Sequence, residues 1–117
     1  LEQNLEQKKL SKIVLKDSEK VYLVDTGEII RCESSDNYTK FFLTEDRTIL
    51  VSTTLKEYEN LFSGQYFFRC HQSHLINLIY FDHYDKREGG SVVMKNGDIL
   101  PVSVRKKDQL MKALQEL

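Results

Sequence analysis

The sequence predicts a mainly β fold of antiparallel strands with two short helices. Three observations carry this. From Lys12 onward apolar residues recur mostly at a period of two, the spacing of a strand with one buried face. Asn96-Gly97 stands between the apolar segments Val92-Val93-Met94 and Ile99-Leu100. That is a strong hairpin signal, since a type I′ turn needs positive φ at both central positions. Helical spacing appears in two places, after Thr54 and after Ser103. At 117 residues the chain fits one domain with enough core to fold without staples.

The elements follow in order. Ile13-Val14-Leu15 and Val21-Tyr22-Leu23-Val24 flank the polar turn Asp17-Ser18-Glu19-Lys20 and pair as a hairpin. Asp25-Thr26-Gly27-Glu28 breaks the pattern, and residues 29–33 resume it. Residues 34–37 read as a loop, followed by a strand over Tyr38–Leu43, a turn at Glu45-Asp46 and a strand over 48–52. Thr54 precedes Glu57 by three residues, the spacing of a capping box. Leu55, Tyr58 and Leu61-Phe62 then form one apolar face, and Gly64 supplies a C-terminal stop. Strands follow over 66–70, 79–84 and Ser91–Met94, with a turn over 75–77. Ser103 caps a last helix whose stripe is Leu110, Ala113, Leu114 and Leu117.

The apolar fraction of 40% and charged fraction of 30% are those of an ordinary globular domain. No apolar run approaches the ~20 residues that span a bilayer, and no signal peptide opens the chain. Cys32 and Cys70 each lie in an apolar segment and read as reduced, buried thiols. A cytoplasmic location follows. The net charge of −1 does not announce a nucleic-acid binder. Its distribution is uneven: residues 1–68 hold nine Lys/Arg against twelve Asp/Glu, and residues 69–112 hold eight against five. Such asymmetry suits a domain that meets phosphate with one face.

The densest chemistry lies in Phe67-Phe68-Arg69-Cys70-His71-Gln72-Ser73-His74-Leu75-Ile76-Asn77. As a strand leaves the core, its polar end offers Gln72 to adenine and Arg69, His71 or Ser73 to phosphates. The plainer alternative is an exposed strand end whose His and Asn brace a turn. Zinc is set aside because Cys70, His71 and His74 lack a second ligand pair. A Cys70–His71 nucleophile is set aside too, because adjacent strand residues point apart. Upstream, Ser34, Ser35, Asp36, Asn37, Thr39 and Lys40 form a polar stretch whose composition also suits a loop for backbone reasons alone. Downstream, Arg105-Lys106-Lys107 puts cations where the helix dipole disfavours them, unless an anion such as phosphate sits there.

Taken in order, Glu33…Asn37-Tyr38, Thr54-Leu55-Lys56-Glu57-Tyr58, the segment from Phe67 to Asn77, and Leu100-Pro101-Val102-Ser103-Val104-Arg105 resemble the LytTR (LytR/AlgR-type) family. These are DNA-binding output domains of bacterial two-component response regulators. The likeness covers about residues 12–116. It implies an elongated fold of small antiparallel sheets whose loops, not a recognition helix, enter successive major grooves of double-stranded DNA at promoter repeats.

On matching positions the resemblance implies base reading by Thr39, Gln72 and Arg105. It makes Asn37, Lys40, Arg69, His71, Ser73, Asn77, Lys106 and Lys107 candidates for phosphate contact or loop bracing. No catalytic residue, cofactor or metal is implied. Residues 1–11 then read as the linker tail of an upstream receiver domain, and 12–117 as the DNA-binding domain. A cognate sensor histidine kinase, a phosphorelay, transcription regulation and a homodimer on DNA complete the expectation, with no membrane partner. Gln72 and Val104 stand where the family commonly has basic residues, which removes charge. The rival readings are a LytTR-fold protein–protein interaction module without DNA binding and, more remotely, a small hydrolase or thiol enzyme using Cys70 and His71.

Overall fold

The computed structural model describes residues 12–117, so the predicted linker over 1–11 lies outside the described residues. The described residues form ten strands and two α-helices. They are β1 (Lys12–Lys16), β2 (Val21–Asp25), β3 (Ile29–Ser35), β4 (Tyr38–Leu43), β5 (Thr48–Val51), α1 (Leu55–Leu61), β6 (Phe67–His71), β7 (His74–Asn77), β8 (Phe81–Asp85), β9 (Ser91–Met94), β10 (Ile99–Pro101) and α2 (Lys107–Gln115). Every pairing is antiparallel. β1 and β2 form a two-stranded sheet, β10-β9-β8 a three-stranded one, and β5-β4-β3-β7-β6 the central five-stranded one. The mainly β prediction holds. The domain extends 42 × 40 × 25 Å.

The central sheet carries a core on each face. Phe41, Leu43, Cys32, Leu75, Ile49 and Val51 meet Leu15 and Val24 of the first hairpin, Leu55 and Tyr58 of α1, and Phe62 just after it, on one side. Ile30, Cys70 and Ile76 meet Val92, Met94, Leu100, Val102 and Leu110 on the other. Leu75 and Ile76 are neighbours that serve opposite cores, as strand alternation dictates. Buried Arg31 joins the central sheet to the β9–β10 hairpin. It donates to Glu33 at 2.7 Å and Asp98 at 2.8 Å, and lies 3.7 Å over the Phe42 ring.

Several local predictions are corrected. Residues 75–77 are not a turn but part of β7. Asn77 is fully buried there, with its amide donating to the Ile29 carbonyl and its side-chain oxygen accepting from the Ile79 N–H. β3 runs to Ser35, so the loop at 34–37 shrinks to the two-residue turn Asp36-Asn37, with Asp36 at φ 55°. β8 starts at Phe81, later than predicted, because Leu78–Tyr80 is a 3-10 turn held by Asn77. The Asn96-Gly97 hairpin forms, but only Gly97 has positive φ, at 96°. Bonds from Met94 N–H to Asp98 and from Gly97 N–H to Met94 enclose a three-residue loop, so it is not type I′.

Thr54 does cap α1 through Glu57 N–H, and Gly64 follows the helix at φ 85°. Leu61 of that predicted face stays 56% exposed. Ser103 makes no side-chain cap bond. A 3-10 turn over Val104–Lys106 comes between, and α2 begins at Lys107. Of its predicted stripe Leu110 is buried, Ala113 and Leu114 half-buried, and Leu117 exposed.

Candidate nucleic-acid interface

One end of the central sheet gathers segments far apart in sequence. β3 ends and β4 starts there, β6 ends and β7 starts there, and β5 ends opposite Thr39. The turn Asp36-Asn37 is tied to the turn Gln72-Ser73 by the Ser34 N–H donating to the Ser73 carbonyl at 3.0 Å. The Ser103 N–H donates to the Cys70 carbonyl at 2.9 Å, which places the segment after β10 beside the end of β6. α1 starts at the same end, just after β5. A concavity there is lined by Lys56, Glu59, Arg69, His71, Gln72, Ser103, Arg105 and Lys106.

Gln72 and Arg105 are exposed at this concavity, and no hydrogen bond or ion pair holds either side chain among the described residues. The same is true of Lys56 on α1 and of Asn37 at the neighbouring turn. An Arg fork matches the two acceptors of guanine, and a Gln amide matches the donor and acceptor of adenine. Lys56 supplies a point charge suited to phosphate. Sequence reading passed over Lys56 because one lysine on a short amphipathic helix looks like a solvated face. Only its place beside Gln72 and Arg105 sets it apart.

Other predicted residues serve as braces. Arg69 donates from Nε to the His71 carbonyl at 3.0 Å and from Nη2 to the Gln72 carbonyl at 2.5 Å, and pairs through Nη1 with Glu59 at 2.8 Å. His71 accepts the Ser73 N–H on Nδ1 at 3.1 Å, which assigns its other nitrogen the proton when neutral. Lys107 donates to the Gly89 carbonyl at 2.6 Å, away from the concavity. Lys106 lies 5.9 Å over the Phe68 ring and reaches Gln109 at 3.4 Å. Lys40 lies half-buried over the Phe42 ring at 5.2 Å, opposite Glu33 in register. Of the three predicted base readers Thr39 is set apart from Gln72 and Arg105: it is fully buried, with its hydroxyl donating to the Thr53 carbonyl at 2.6 Å.

Burial disfavours the charged form of three groups in this sheet. Cys70 is buried against the Pro101 carbonyl, and burial pushes its thiol up to about 12, which is unsuited to a nucleophile. Burial likewise raises Cys32 far above the usual thiol range. His74 is held below its ordinary value, first by burial, although Glu33 at 3.7 Å pulls the other way.

The family described as the LytTr DNA-binding domain matches residues 19–115. The structure is similar to that of the LytTr DNA-binding domain of a Bacillus cereus protein described as a methyl-accepting/DNA response regulator. The TM-score is 0.76 at 26% identity, and the match covers 89% of this chain and 96% of that one. No curated protein matches this chain.

Proposed function

The chain belongs to the LytTR DNA-binding domain family, and from that premise we propose that it binds double-stranded DNA sequence-specifically, as the output domain of a response regulator that controls transcription. The observation that carries this is the convergence of unpaired Gln72 and Arg105 with Lys56 on one sheet end. Gln72 and Arg105 select bases. Lys56, Lys106 and the exposed Asn37 contact phosphate, while Lys40, held over Phe42, adds charge behind the turn. Arg69, His71, Ser73 and Asn77 hold the presenting strands.

Phosphate contacts supply most of the salt-sensitive affinity, and a few base contacts supply selection. One module of this size buries about 600–1,000 Å² on DNA, so a homodimer on repeated promoter half-sites provides the rest. The remaining partners are an upstream receiver domain and its sensor histidine kinase, and the setting is the cytoplasm. Among the described residues no helix is long and apolar enough to cross a membrane.

Selection from a random duplex pool tests the reading, with affinity then followed against salt. A recovered repeat is expected. Arg105→Ala is expected to cost roughly 1–3 kcal/mol and relax choice at one base pair, whereas Lys56→Ala weakens all sequences alike and lowers the salt slope by about one. An equal loss on every sequence for Arg105→Ala would remove its reading role. An unenriched pool would favour the interaction-module alternative.

A further inference from the structure

Glu59 presents a contradiction. Of the residues lining the concavity it alone is a carboxylate, set among Lys56, Arg69, Arg105 and Lys106. An acid there repels the DNA that those cations attract. Its geometry suggests a compensating role. Arg69 has a planar fork whose donors are fixed relative to one another. Nη1 is anchored on Glu59 at 2.8 Å, and that anchor lets Nε and Nη2 meet the His71 and Gln72 carbonyls together. Both carbonyls belong to the turn that presents Gln72. Without the anchor, a long cationic side chain at a DNA-facing edge has phosphate as its strongest alternative partner.

We infer that Glu59 is a positioning residue for base reading: through Arg69 it holds the Gln72-Ser73 turn in its presenting shape before DNA arrives. The inference rests on the proposed base contact of Gln72. It gives Glu59 two effects of opposite sign. Its charge lowers affinity for any duplex, and its hold on the turn raises affinity for the right one. The ordering of the turn is then complete in the free protein, so binding does not have to supply it.

The test compares wild type, Glu59→Leu and Arg69→Lys on the selected duplex and on a random duplex, with thermal melts to confirm folding. For Glu59→Leu, affinity for the selected duplex is expected to fall about ten-fold, as for loss of a charge-assisted bond, and affinity for the random duplex to rise about two-fold. Arg69→Lys keeps the charge but cannot serve three acceptors at once. It is expected to lose more affinity for the selected duplex than for the random one.

In the DNA-free protein, hydrogen exchange at the Ser73 amide is expected to accelerate in both variants. Equal rises on both duplexes would mean simple repulsion, and equal falls a merely structural role; either overturns the inference. Unchanged binding, or an unchanged Ser73 amide, overturns it as well. A wild type that does not discriminate between the duplexes would instead sink the DNA reading, and this inference with it.

Discussion

Replacing Thr39 by Val separates a base reader from a structural hydroxyl. The side chains are nearly isosteric, so the change removes one donor and adds one methyl group. The donor lost is a 2.6 Å bond from a fully buried hydroxyl to the Thr53 carbonyl. Such a bond contributes about 1 kcal/mol net, and the carbonyl left without its partner adds up to about 1 kcal/mol more. The new methyl group, packed near Phe41 and Val51, returns about 0.5 kcal/mol. The expected loss is therefore about 1.5 kcal/mol. With a urea m-value of about 1.5 kcal/mol/M for a domain this size, the unfolding midpoint moves down by about 1 M. The assay is urea unfolding followed by circular dichroism, run beside the same random-pool selection. The selected motif is expected to be unchanged. A midpoint that stays put while preference at one base pair relaxes would refute the reasoning and restore Thr39 as a reader.

Two further expectations concern stability. His74 is held low by burial, so the unfolded chain takes up a proton first as pH falls. Its contribution is complete above the ordinary histidine value near pH 6.5 and is lost as pH drops through and below that value. Denaturation at pH 7 and pH 5 should show a steeper loss in wild type than in His74→Gln, and equal slopes would contradict the assignment. Arg31→Met keeps the buried stem but removes two ion pairs and the contact with Phe42. Glu33 and Asp98 remain 37% and 34% exposed, so water can solvate them once Arg31 is gone. The cost is therefore about 2 kcal/mol, below the ~3–5 kcal/mol of a fully buried pair. A melting temperature within a degree of wild type would show that the network contributes nothing.

The sequence was most readable where one local rule settles the structure. Period-two alternation placed β1 and β2, and Thr54 with Glu57 placed α1. It was least readable where distant partners decide. Asn77 looks like a turn residue until Ile29, 48 positions earlier, accepts its amide. Asn96-Gly97 marked a hairpin, but the side chain of Asn96 bonds the Asp98 N–H at 3.0 Å, and that local competition selects the longer loop. At the candidate site, the segment around Gln72 and Arg105 stood out by composition. The burial of Thr39, named only through the resemblance, was not legible because its strand parity relative to core and solvent depends on where the preceding turn ends. Glu59 and Lys56 gave no sequence signal, since their meaning lies in what β6 and the segment after β10 bring alongside α1.

The division of labour between sheet and turns bears on how such a domain changes over generations. Gln72, Arg105, Lys56 and Asn37 are exposed, while the central sheet, whose turns carry Gln72 and Asn37, is packed on both faces by separate cores. Substitution at these four positions leaves the packed interior intact; on the proposed reading, changes at Gln72 or Arg105 then alter which duplex is preferred, and changes at Lys56 or Asn37 alter overall affinity, at little cost to folding. Arg69, bonded to Glu59 and to the His71 and Gln72 carbonyls, would set the limit of that freedom: the residue at position 72 could vary, but not the turn that carries it.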